Sequence, residues 1–170
     1  MAELVDNTPS TNRQLDDNWT LWIHLPRDPD WTLNGYYNIH TFSTIDDIVS
    51  IIESIPSSLV KGAMMFIMRE GVSPIWEDKN NKNGGCFSYR VSHKILTSVW
   101  RNIAYTMVGG YLVPDEMSGI ITGISISPKK QFSVLKIWTS TKEYTDPKAI
   151  SHIQGLSPGS CLFKSHVPEY

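Results

Sequence analysis

Cysteine is scarce in this chain of 170 residues, which holds only Cys86 and Cys161. Two thiols so far apart in sequence supply neither a disulfide framework nor the close spacing of a thiolate metal site, so both are expected to be reduced and partly buried. An excess of charge is also missing. Fifteen Lys and Arg stand against seventeen Asp and Glu, a net charge of −2, so no overall basic field gathers long nucleic acid and any such contact must be local. No apolar run approaches the length that spans a bilayer, and Met1 to Asp17 lacks the apolar stretch of a signal peptide. The expectation is a soluble protein without membrane contact, cytoplasmic with the nucleus as a second compartment. Repeats and low-complexity segments are absent too. There is no Gly-x4-Gly-Lys-Ser/Thr loop to cradle phosphates and no His/Cys/Asp set at metal-ligand spacing, so neither cofactor nor metal is expected. His24, His40, His93, His152 and His166 are dispersed and read as surface or satisfied structural residues.

Tryptophan, by contrast, is plentiful: six in 170 residues exceed what a core of this size requires, and the question becomes which of them face solvent. The length suits one domain with a full core. Residues 1–15 are polar and aperiodic and read as a disordered tail, with the domain over 16–170. From Trp19 to Leu25 apolar residues alternate at the two-residue period of a half-buried strand, and Asn34 to His40 reads as a second. Between them Pro26-Arg27-Asp28-Pro29-Asp30 is a dense set of turn formers that carries Trp31, a candidate for ligand contact on a surface loop. Thr44 followed by Ile45-Asp46-Asp47 predicts a capped helix that Pro56 ends. Ala63 to Met68 reads as a buried strand, and Cys86 to Val91 as a strand returning beside it in a long-looped hairpin. Ser92 is expected to cap the strongest helix, whose stripe from Ile95 to Val108 puts Trp100 in the core before Gly109-Gly110 stops it.

Gly119 to Ser127 and Phe132 to Thr139 read as a hairpin around Pro128-Lys129-Lys130-Gln131, with Val134, Lys136 and Trp138 on one face and Leu135 and Ile137 on the other. An exposed face with a snorkelling lysine is the plainer reading of that pair. Asp146 to Ile153 is expected to be a short helix and Gly159 to His166 a last strand. Hairpin-linked strands and two one-striped helices predict an α+β fold: a single curved antiparallel sheet with helices packed on its convex face and a ligand site on the concave side.

The loop Ser73-Pro74-Ile75-Trp76-Glu77-Asp78, closed by Asn83-Gly84-Gly85, sets an aromatic plate beside an acceptor-only side chain. That pairing suits a flat ligand with N–H donors on its edge and a positive charge on its ring. Guanine methylated at N7 is one.

In their order and spacing, Trp19-Thr20-Leu21-Trp22, the loop Trp31, Pro74-Ile75-Trp76-Glu77-Asp78, Asn81-Lys82-Asn83-Gly84-Gly85, the mid-helix Trp100, Ile137-Trp138-Thr139 and Ser151-His152-Ile153 resemble the cap-binding translation initiation factor 4E family. The resemblance runs from about Asn18 to His166. It implies a non-enzymatic module that sandwiches 7-methylguanine of the mRNA cap between Trp31 and Trp76, takes the base's edge protons on Glu77 and lays Trp138 against the methyl group. It also implies capped mRNA as ligand and, on the helical face, a scaffold of the initiation factor 4G type or a divergent binding protein, the chain being otherwise a monomer. Departures are visible. Ser127 and Val134 stand where the family carries phosphate-binding Arg and Lys, and Cys86 where many members carry Arg, so Lys129, Lys130 and Lys136 become the candidates for the cap phosphates. Val49 stands where a tryptophan holds the scaffold, Arg101 and Tyr105 replace apolar positions, and Ile45 keeps its character, making Ile45, Val49 and Arg101 the candidate partner surface. The end of the sequence soon after His166 implies a shortened C-terminal loop over the cap. A translational repressor or protein-interaction module of the same fold with weakened cap binding, and a nucleotide hydrolase using Glu77 and Asp78, are the alternatives.

Overall fold

In the computed structural model, residues 13–167 are described, and the expected tail lies outside them as far as Asn12. The alternating segment around Trp19 is longer than its apolar pattern: strand β1 spans Gln14–His24. Gln14 and Leu15, read as tail, are strand residues, because Gln14 pairs with Thr44 and the Arg13 carbonyl accepts from Ile45 N at 3.0 Å. β2 (Tyr36–Thr44), β3 (Met64–Arg69), β4 (Gly85–Ser92), β5 (Ile121–Pro128), β6 (Phe132–Thr139) and β7 (Cys161–Ser165) complete one open sheet in the order β2-β1-β3-β5-β6-β4-β7, antiparallel throughout.

The order corrects one expectation. β3 and β4 do not form a hairpin, since β5 and β6 lie between them. The tight turn at 129–131, closed by Lys129 N to the Phe132 carbonyl at 2.7 Å, folds β5 and β6 locally. The long 70–84 connection can instead cross the roughly 14 Å spanned by three strand spacings. Short turns dictate pairing and long loops do not.

Helices α1 (Ile45–Ser54), α2 (Ser57–Gly62), α3 (Leu96–Val108) and α4 (Asp115–Ser118) all contribute side chains to one apolar cluster on one face of the sheet. Thr44 caps α1 as expected, its Oγ1 accepting from Asp47 N at 3.2 Å. Ser92 does not cap α3: it ends β4, and the helix starts behind Ile95 without a side-chain cap. Both α2 and α4 follow a proline, Pro56 and Pro114; Pro56 reads in sequence as a stop, but proline breaks the preceding turn and suits the start of the next. The helix expected over 146–153 is a single 3-10 turn, Pro147–Ala149, with Asp146 accepting from Lys148 N. Only Ile150 and Ile153 of that stretch are buried apolar residues beyond the turn, too short a stripe to sustain a helix.

Strand alternation then sorts the sheet into two faces. Trp19, Leu21, Met65, Ile67, Ile124, Ile126, Leu135 and Ile137 meet the helices, with Trp100 fully enclosed among them. Trp22, Tyr36, Met64, Phe66, Met68, Val72 and Trp138 form a second, smaller cluster, which the two-residue period puts on the opposite face. Cys86 and Cys161 are unpaired and buried.

Candidate functional site

Two loops overhang the helix-free face. The first joins β1 to β2 and is knitted by its own carboxylates. Asp28 accepts from Asp30 N at 2.9 Å, and Asp30 in turn accepts from the amide and the hydroxyl of Thr32 at 2.9 and 2.6 Å. These Thr32 bonds hold the Asp30 carboxyl below its usual range. The turn is so tight that a Cβ at Gly35 would fall 1.8 Å from the Asp30 carbonyl oxygen. Trp31 emerges 59% exposed. Its ring is not loose: it lies on His24 at 4.3 Å between centroids and 7° between planes, and His24 Nε2 sits 2.9 Å from the Asp30 carbonyl oxygen.

The second loop, 70–84, is built by hydrogen bonds to side chains. Asn81 is fully buried and donates through Nδ2 to the Ser73 and Ile75 carbonyls at 3.1 and 2.9 Å. Asp78 accepts from Ser73 N at 2.9 Å and from Asn80 N and Nδ2 at 2.8 and 3.0 Å. Burial pushes the Asp78 carboxyl up, but the amides of Asn80 and Ser73 outweigh it and hold the group below the ordinary range. Gly84 meets β6 so closely that a Cβ would lie 1.7 Å from the Thr139 carbonyl oxygen. On this frame Trp76, 45% exposed, and the exposed Glu77 are carried outward.

Beneath the loops runs a row of rings. Trp31 stacks on His24; His24 meets Tyr36 at 4.8 Å, Tyr36 meets Phe66 at 5.4 Å, Phe66 meets Trp138 at 6.2 Å, and Trp138 meets His166 at 4.8 Å. Trp138 is 7% exposed and donates its indole N–H to Ser125 Oγ at 2.9 Å. Burial raises the Tyr36 phenol, and the negative charge of Glu77 raises it further. The structure thus joins Trp31 and Trp138 through a common aromatic floor. Trp76 enters no described ring contact, with Trp31 or with any other residue in the row.

Lys136 belongs to the same face. Burial, and then the positive charge of Lys136, pull the His166 imidazole down to about 4, and Lys136 also acts on the Cys86 thiol, which burial raises. Lys129 lines a pocket of about 330 Å³ together with His24, Trp31, Met64 and Ser127. Lys130 is exposed on the turn beside it. On the other face Ile45 and Val49 are exposed and line a groove of about 420 Å³ with Leu15, Tyr105 and Tyr111. Arg101 reaches Glu53 at 3.5 Å, and Glu53 also accepts from the Tyr105 hydroxyl at 2.7 Å. Burial, aided by Glu53, pushes the Tyr105 phenol up to about 12.

Sequence reading missed His24, Tyr36 and His166 as parts of this floor. For His24 a signal existed: it follows Thr20 and Trp22 at the two-residue period, on the polar side of β1.

Residues 14–157 match the family model for eukaryotic initiation factor 4E. The chain belongs to the eukaryotic initiation factor 4E family. A eukaryotic translation initiation factor 4E-1 of Schizosaccharomyces pombe is 31% identical over 129 residues, covering 72% of this chain and 58% of that protein. A 4E homolog of Acanthamoeba polyphaga mimivirus is 29% identical over 145 residues, covering 72% of this chain and 53% of the homolog. The chain therefore spans somewhat more than half the length of these curated relatives. Among solved structures, the complex of C. elegans eIF4E-3 with the 4E-binding protein Mextli and a cap analog superposes with a TM-score of 0.69 at 27% identity, covering 77% of this chain and 76% of that one. The 4E fold accounts for the single open antiparallel sheet with its helices on one face.

Proposed function

We propose that this 4E-family chain binds the 7-methylguanosine 5′ cap of mRNA on the helix-free face and acts without catalysis in translation initiation or its regulation in the cytoplasm. The observation that carries the reading is the exposed Trp31 standing at one end of an aromatic floor that also holds Trp138. Trp31 and Trp76 would take the methylated base between their faces. A cationic ring gains roughly 0.5–2 kcal/mol from an indole face on top of about 1–3 kcal/mol of stacking per base. Glu77 is an acceptor without a described hydrogen-bond partner of its own, suited to the N1–H and N2–H edge of guanine. Adenine has no such donor pair. Trp138 would lie against the methyl group, and Lys129, Lys130 and Lys136 would meet the phosphates. That the C. elegans complex contains a cap analog supports this assignment.

On the helical face, the groove beside Ile45 and Val49, with Arg101 nearby, would receive a scaffold of the 4G type or a divergent binding protein, as the Mextli complex of the relative supports. Hydrolysis is disfavoured because both oxygens of Asp78 are already committed to the loop it builds. Calorimetric titration of the wild type and Lys136→Glu with methylated guanosine triphosphate and with the bare methylated nucleoside tests the phosphate assignment. The triphosphate should lose about tenfold in affinity and the nucleoside little; equal losses would remove Lys136 from the site.

A further inference from the structure

Exposed tryptophans on surface loops ordinarily sample several rotamers, and fixing one on binding lowers affinity by about two- to tenfold. Trp31 is fixed in advance by a residue of another element. His24, the last residue of β1, is 1% exposed and fills the base of its own loop. Its ring is nearly parallel to Trp31 at 4.3 Å and meets Tyr36 edge-on at 4.8 Å and 63°. Its Nε2 lies 2.9 Å from the Asp30 carbonyl oxygen, one residue before Trp31. A carbonyl oxygen only accepts, so Nε2 carries the proton, and in the neutral ring the lone pair is on Nδ1. One face of Trp31 is thereby covered and the other left for a guest.

We propose that His24 is the positioning residue of the base-binding stack: stacked on Trp31 and bonded to the Asp30 carbonyl, it holds Trp31 ready for ligand. The proposal rests on the sandwich reading and adds to it a second layer. With a methylated guanine on the free face of Trp31, the order would be His24, Trp31, base, Trp76.

The test uses the full chain as wild type, His24→Phe, His24→Gln and His24→Ala. Phe keeps the flat ring without the hydrogen bond, Gln keeps a donor without the ring, and Ala removes both. Without ligand, the Trp31 indole N–H signal, assigned through Trp31→Phe, should broaden or shift in Gln and Ala and stay sharp in Phe. With methylated guanosine triphosphate at about pH 8, Gln and Ala should lose two- to tenfold in affinity and Phe should recover most of it. An unchanged Trp31 signal in Gln and Ala, or an affinity that Phe does not restore, overturns the proposal. A wild type that shows no preference for the methylated nucleotide would instead sink the sandwich, while the ligand-free signals would still report on His24.

Discussion

The two loops over the open face solve one problem in opposite ways. Each must present an indole to solvent without letting it wander. The 70–84 loop does so from below, with a buried amide and a carboxylate that satisfy its backbone. The 25–35 loop does so from the side, with a ring stacked on the tryptophan itself. Backbone satisfaction makes a loop rigid and indifferent to its passenger, whereas stacking fixes the passenger itself.

The contrast predicts unequal consequences. The largest should follow Asn81→Ala, which strands the Ser73 and Ile75 carbonyls in a buried setting. Two lost partners should cost about 2–4 kcal/mol in urea-induced unfolding and weaken ligand binding with it; a loss below about 1 kcal/mol would mean that the amide does not hold the loop.

Asp78→Asn should cost less, about 1 kcal/mol, and its cost should depend on pH. The folded-state carboxyl sits below its ordinary value, so its stabilising contribution is fully present above about pH 4 and disappears as acid takes the pH down through the lowered value. Unfolding curves of wild type and variant should converge in that acidic window. Curves that separate further on acidification would reverse the assigned sign.

Trp31→Ala should be the mildest for stability, within about 0.5 kcal/mol, because its ring is mostly in solvent. Its affinity for the methylated nucleotide should nevertheless fall on the order of tenfold to a hundredfold. A variant that unfolds readily but binds normally would show that the ring serves the fold alone.

Much of this contrast was legible in the residues. Pro74, Trp76, Glu77 and the glycines announced a loop that presents an aromatic ring and a carboxylate, and Thr44 announced the start of α1. The alternation around Trp138 named the correct face, though not that the ring would be buried and bonded to Ser125. What failed was non-local or single. Pairing of β3 with β5 instead of β4 depends on which turns close first, a fact that no window of sequence around either strand contains. Pro56 and Pro114 could end one element or begin another, and here each precedes a short helix. His24 was one histidine among several dispersed ones, and its role depends on a loop that folds back over it. Asn81 and Asp78 stood within the motifs that carry the resemblance, but their part in building the loop was not legible, since nothing in composition separates a buried amide from a solvated one.

The most direct measurement is intrinsic tryptophan fluorescence during titration with methylated and unmethylated guanosine triphosphate, on the wild type and on Trp76→Ala. The sandwich predicts saturable quenching, a preference of about tenfold for the methylated nucleotide, and loss of most of that preference in the variant. Equal affinity for both nucleotides, or a preference that survives removal of Trp76, would contradict it.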